Sequence, residues 1–109
     1  MIRVTIRKAP DGTVRALDCE GHAAYAEYGN DVVCAAISML VLNTLNSIES
    51  LTDNPFQGDE DKKKGKISVV FPEGLDQAGM LLMDSLRLGV CGVEEQYGKE
   101  YVQFSEVTE

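Results

Sequence analysis

A cysteine thiolate beside an imidazole is a nucleophile for acyl transfer, and this chain brings its single histidine, His22, into the same segment as one of its three cysteines, Cys34. The segment runs Gly21-His22-Ala23-Ala24-Tyr25-Ala26-Glu27-Tyr28-Gly29-Asn30-Asp31-Val32-Val33-Cys34-Ala35-Ala36-Ile37-Ser38. If Asp31 caps a helix, Cys34 is its third residue, where unpaired backbone N–H groups and the positive end of the helix dipole favour a thiolate. A protonated His22 beside it would lower the thiol further and then protonate a leaving amine. Asp31 has two readings, capping the helix through the Cys34 N–H or holding His22 in the correct tautomer. Ser38 lies one turn after Cys34 on the same helix face, so its hydroxyl reaches either the thiol or the Cys34 carbonyl. The Cys34 N–H is itself a candidate donor for an oxyanion.

Cys34 taken alone is more often a small buried hydrophobe, and only its pairing with His22 argues otherwise. Cys19 and Cys91 have no histidine or cap beside them, and both are expected to be inert packing residues. Cys19, His22, Cys34 and Cys91 have the right chemistry for a zinc site, but they lack tight knuckle pairs, and Cys19 and His22 point to opposite faces of a strand. No glycine-rich phosphate loop is present, so neither a metal nor a cofactor is expected.

The surrounding pattern predicts the elements that must hold these groups. Ile2, Val4 and Ile6 alternate with Arg3, Thr5 and Arg7 as a half-buried strand, Pro10-Asp11-Gly12 turns the chain, and Val14 to Gly21 returns to complete a hairpin. Asn30 or Asp31 then caps a helix reaching about Leu51, with Val33, Ile37, Leu40, Val41, Leu45 and Ile48 at helical spacing. Thr52 to Lys64, with its Asp59-Glu60-Asp61 and Lys62-Lys63-Lys64 runs, has the composition of a solvated loop. A strand at Ile67 to Phe71 follows. A second helix starts near Leu75 and passes through Ala78, Leu82 and Leu86 until Gly89 and Gly92, and Tyr97 to Phe104 closes as a last strand. The expected fold is α+β in the order ββαβαβ, two helices packed on a mixed or antiparallel sheet of about four strands in one domain over residues 1–109. Gly21 and Gly29 are placed to hinge the loop between strand and helix, and Tyr25 and Tyr28 are the aromatic residues that loop carries.

Size and charge narrow the function classes. The 109 residues carry 10 Lys+Arg against 18 Asp+Glu, a net charge of −8, which lacks the basic field that grips nucleic acid. No apolar stretch reads as a membrane span, Met1-Ile2-Arg3-Val4 opens no signal peptide, and an odd cysteine count without C-x-x-C fits a reducing compartment, so a cytoplasmic protein is expected.

The string Gly21-His22-Ala23, Tyr25-Ala26, Gly29 and Asp31-Val32-Val33-Cys34-Ala35-Ala36-Ile37-Ser38 resembles the signature of the bacterial ribosomal-processing cysteine protease family, Prp, and the likeness continues in order over nearly the whole chain. The resemblance implies a homodimeric cysteine endopeptidase with Cys34 as nucleophile, His22 as base and later acid, and Asp31 and Ser38 in support. It implies as substrate the N-terminal extension of large-subunit ribosomal protein twenty-seven, cut after an aromatic residue, over whose side chain Tyr25 and Tyr28 are expected to close. An acidic enzyme suits that basic partner. The competing expectation is a non-catalytic ribosome-associated binding module in which Cys34 only packs.

Overall fold

The computed structural model describes residues 1–27 and 31–109. Two strands open the chain, β1 (Ile2–Lys8) and β2 (Val14–Gly21), paired antiparallel through the Pro10-Asp11-Gly12 turn, in which Gly12 takes φ +90° and its N–H reaches the Ala9 carbonyl. Helix α1 (Val32–Leu51) follows, then the hairpin β3 (Gln57–Asp61) and β4 (Lys66–Val70), helix α2 (Gln77–Tyr97) and β5 (Val102–Thr108). Among the described residues the strands form one sheet in the order β3-β4-β2-β1-β5, with β1 and β5 parallel and the other neighbouring pairs antiparallel. The expected α+β class and mixed sheet are therefore present, with five strands in place of about four and the order ββαββαβ.

The extra strand, β3, lies inside the segment expected to be a solvated loop. All five of its residues, Gln57 to Asp61, are exposed, so no apolar alternation marks it; the backbone ladder to β4 makes it a strand at the sheet edge. Two boundaries also move. Helix α2 does not turn at Gly89 and Gly92 but continues to Tyr97, and it ends on Gly98 at φ +112°. Gly89 is a contact surface instead: a Cβ there would sit 2.9 Å from Leu40 Cδ2, so the glycine lets α1 and α2 approach. Tyr97 thus belongs to the helix, and the last strand begins later, at Val102.

The alternation read in β1 sets the core. Ile2, Val4 and Ile6, with Leu17, Cys19, Val69 and Val102, present one face of the sheet to Val33, Ile37, Val41 and Ile48 of α1 and Met83, Leu86 and Val90 of α2. Phe71, fully buried just past β4, packs edge-on against Phe56 at 5.8 Å between ring centroids. By length and composition α1 is long and apolar enough to cross a membrane, contrary to the expectation from the apolar runs. Its sheet-facing stripe of Val33, Ile37, Val41, Leu45 and Ile48 is buried in the core of the fold.

Candidate active site

The site gathers where β2 ends and α1 begins. Asp31 is the N-cap of α1, and the two oxygens of its carboxylate do different work. Oδ1 accepts the N–H groups of Val33 and Cys34, both at 3.0 Å; Oδ2 accepts the N–H of Tyr25 at 3.0 Å and of Ala26 at 3.5 Å. One buried side chain thus fastens the helix start to the preceding loop. Burial would raise this carboxyl, but the amides of Cys34, Tyr25 and Ala26 outweigh it and hold the group below the ordinary carboxylate value. Of the two readings open for Asp31, the structure places capping. Among the described residues its oxygens bond backbone amides and not His22. Asn30, the other capping candidate, lies outside the described residues.

Cys34 is the third residue of α1, as the spacing predicts, and is half-buried. Its Sγ accepts the Ala23 N–H at 3.3 Å. The expected thiolate is not stabilised in this arrangement: burial pushes the thiol up, and the Asp31 carboxylate adds to the effect, against the opposing pull of the Ala23 amide. The same cap removes the Cys34 N–H from the list of free oxyanion donors, because it is spent on Asp31. Cys19 sits beneath in the core, its thiol pushed up to about 11 by burial first and by neighbouring Cys34 second, in keeping with a packing residue. Cys91 is half-buried on α2, and no disulfide links the three.

His22 immediately precedes the amide that touches the sulfur. Its carbonyl accepts from the Met1 ammonium, fixing the backbone, while its imidazole makes no hydrogen bond among the described residues. The ring lies instead on Gly65, in the turn between β3 and β4: a Cβ on Gly65 would fall 2.9 Å from both Cε1 and Nε2. Gly21 has φ +100°, and a Cβ there would collide with the Met1 carbonyl, so no side chain fits. Its N–H donates to the Gly65 carbonyl at 3.1 Å.

The remaining candidates divide. Tyr25, still 44% exposed, sets its ring edge-on against Tyr97 at 5.4 Å and Tyr101 at 5.1 Å between centroids, so it docks on the end of α2 and the turn that leads into β5. Ser38 is exposed, and among the described residues its hydroxyl bonds neither the thiol nor the Cys34 carbonyl. Tyr28 and Gly29 lie outside the described residues. The sequence reading missed Gly65, Tyr97 and Tyr101, which come to the site from distant elements. Only a φ of +59° at Gly65 and the aromatic character of the tyrosines mark them.

Two helices packed on one face of this mixed sheet are an architecture shared with solved cysteine proteases. The chain belongs to the family described as cysteine protease Prp, whose model matches residues 1–103. It is 31% identical over 101 residues to the ribosomal processing cysteine protease Prp of Bacillus subtilis (strain 168), covering 89% of this chain and 90% of that protein. It is 27% identical over 99 residues to the Prp of Staphylococcus aureus (strain Mu50 / ATCC 700699), covering 91% and 93%. The crystal structure of the S. aureus protease with a covalently linked product peptide superposes with a TM-score of 0.87 at 27% identity, over 97% of this chain and 99% of that one. The same protease with a substrate peptide gives 0.81 at 26% identity, again over 97% and 99%. The chain is a ribosomal-processing cysteine protease, and the competing expectation of a non-catalytic binding module falls with that.

Proposed function

We propose that this enzyme removes the N-terminal extension of large-subunit ribosomal protein twenty-seven, cutting after an aromatic residue, with Cys34 as nucleophile and His22 as base and acid. The observation that carries the reading is the Ala23 N–H on Cys34 Sγ at 3.3 Å, which places the sulfur, the residue after His22 and the capped helix start in one cluster. In the reaction, His22 takes the thiol proton, Sγ attacks the scissile carbonyl carbon, and the imidazolium returns that proton to the leaving amine. This leaves a thioester on Cys34, which a water molecule, deprotonated by His22, hydrolyses to free the acid and the thiol. As the oxyanion forms one bond from the attacked carbon, the Ala23 amide is the donor placed to turn from sulfur to oxygen. Asp31 supports this geometry through the backbone, Gly21 supplies the turn that leads into His22, and Ser38 stands one turn behind the nucleophile. Tyr25 and Tyr28 contribute to the aromatic preference from the connecting loop.

The enzyme is proposed to act as a cytoplasmic homodimer without a cofactor, binding neither nucleic acid nor membrane. Its charge of −8 draws in a basic ribosomal-protein tail, so KM rises with salt. The deciding experiment is cleavage of a peptide spanning the processing site by wild type, Cys34→Ala and His22→Ala. Cleavage after the aromatic residue by wild type alone supports the reading. No cleavage by folded wild type overturns the substrate assignment, and cleavage that survives Cys34→Ala overturns the nucleophile.

A further inference from the structure

The β3–β4 hairpin touches the site at one point, and that point has no side chain. Gly65 closes the turn at φ +59°, with its N–H on the Lys62 carbonyl and its own carbonyl accepting the Gly21 N–H. The turn is held from below by Asp61, whose Oδ1 accepts the Lys63 and Lys64 N–H groups. The register explains why it arrives there. β4 pairs with β2 so that Lys66 faces Glu20, and one residue further on each strand sets Gly65 beside Gly21, next to His22. The imidazole occupies the volume that any Cβ on Gly65 would need, with Cε1 and Nε2 both 2.9 Å from that point and the Gly21 carbonyl oxygen at the same distance. A side chain there must displace the ring, the strand end, or both, because real Cβ contacts do not close to that distance.

We infer that Gly65 is a positioning residue for His22: by presenting a bare Cα, the hairpin turn seats the imidazole at the end of β2, on the residue whose neighbour Ala23 donates its N–H to Cys34 Sγ. The inference rests on His22 being the dyad base, and it adds an element, the β3–β4 hairpin, that the helix-and-loop motif does not contain. Left-handed backbone explains a glycine at this position only in part, since asparagine also tolerates that conformation; the ring against its Cα is the stricter demand.

The test uses Gly65→Asn and Gly65→Ala in the 109-residue chain, with Gly12→Asn as the control for a glycine at positive φ that has open space where its Cβ would go. His22 is the only histidine, so its Cε1 proton gives a single resonance. Expected are a through-space contact between the Gly65 Hα and His22 Hε1 protons in wild type, and a moved Hε1 resonance in Gly65→Asn. In the same variant kcat falls at least tenfold with KM within about twofold, while Gly12→Asn matches wild type. Absence of the wild-type contact overturns the seat whether or not the variants fold. Wild-type kcat in folded Gly65→Asn, alongside an inactive His22→Ala, also overturns it and leaves the dyad standing. An active His22→Ala instead removes the dyad, and the inference with it.

Discussion

The Asp31 carboxylate accepts the backbone N–H of Cys34 at 3.0 Å through one oxygen and that of Tyr25 at 3.0 Å through the other. The nucleophile's amide and the loop that follows His22 are therefore fixed by one side chain, and that side chain has no bond to the histidine. A support role for Asp31 acts through the backbone, which makes it separable from acid-base chemistry.

Asparagine at position 31 keeps an oxygen for the helix cap but turns an NH2 group toward the Tyr25 and Ala26 amides. Asp31→Asn should lose about 1 kcal/mol or less of stability and at least tenfold in kcat/KM, whereas Asp31→Ala loses the cap as well, about 1–2 kcal/mol. Because the folded carboxyl lies below its ordinary value of 3.8, its contribution is complete above that value and is lost as pH falls through the folded value. The stability gap between wild type and Asp31→Asn, measured by denaturant unfolding, should be constant from neutral pH to about 4 and narrow below it. A gap that closes near neutrality would assign the effect to another group.

The Cys34 thiol is pushed above its ordinary 9.0, first by burial and then by Asp31. Its alkylation by iodoacetamide should be slow at pH 7 and climb steadily with pH beyond 9, since only the thiolate reacts. Cys19, buried and raised to about 11, should label more slowly still. Removing the negative charge in Asp31→Asn should speed Cys34 labelling at any fixed pH below that range. A rate already flat at pH 6 would show an ionised thiol in the free enzyme and contradict this account.

Much of this site is legible from local spacing. Asp31 and Cys34 are a cap and a third helical residue, and the distance between such positions is set by helix geometry alone. His22 is found because it is the only histidine. What the chain does not disclose locally is what arrives from elsewhere: Gly65 reaches His22 through the β2–β4 register, and Tyr97 and Tyr101 reach Tyr25 through the packing of α2 and β5. The fold follows the same division. The alternation of Ile2, Val4 and Ile6 announces β1, whereas Gln57 to Asp61 form an edge strand with no buried residue to give a period. Gly89 imitates a helix stop but is an interhelical contact, a distinction that depends on Leu40 of the other helix.

Tyr25 meets Tyr97 and Tyr101 edge-on, and the three rings anchor the loop carrying the Ala23 amide. Tyr25→Phe should retain activity, because the contact is made by the ring. Tyr25→Ala should lower kcat/KM several-fold, and the cycle combining Tyr25→Ala with Tyr101→Ala should show a coupling of about 0.5–1.5 kcal/mol in stability. Strict additivity would mean that the two rings do not hold the loop jointly.

The helices carry apolar side chains that the monomer leaves in water: Met39 is 67% exposed, Leu81 70% and Leu88 67%, with Leu42 at 45%. Burying such groups against a second copy gains roughly 1.5–3 kcal/mol for each side chain fully covered, which is a reason for association that the polar edge strand β3 does not offer. Wild type should therefore sediment as a dimer at micromolar concentration, and Met39→Glu together with Leu88→Glu should shift it toward monomer without unfolding it, because neither side chain reaches the core. A wild type that sediments as a monomer throughout would return these residues to ordinary surface and remove the homodimer from the functional picture, while leaving the Cys34–His22 chemistry of a single chain intact.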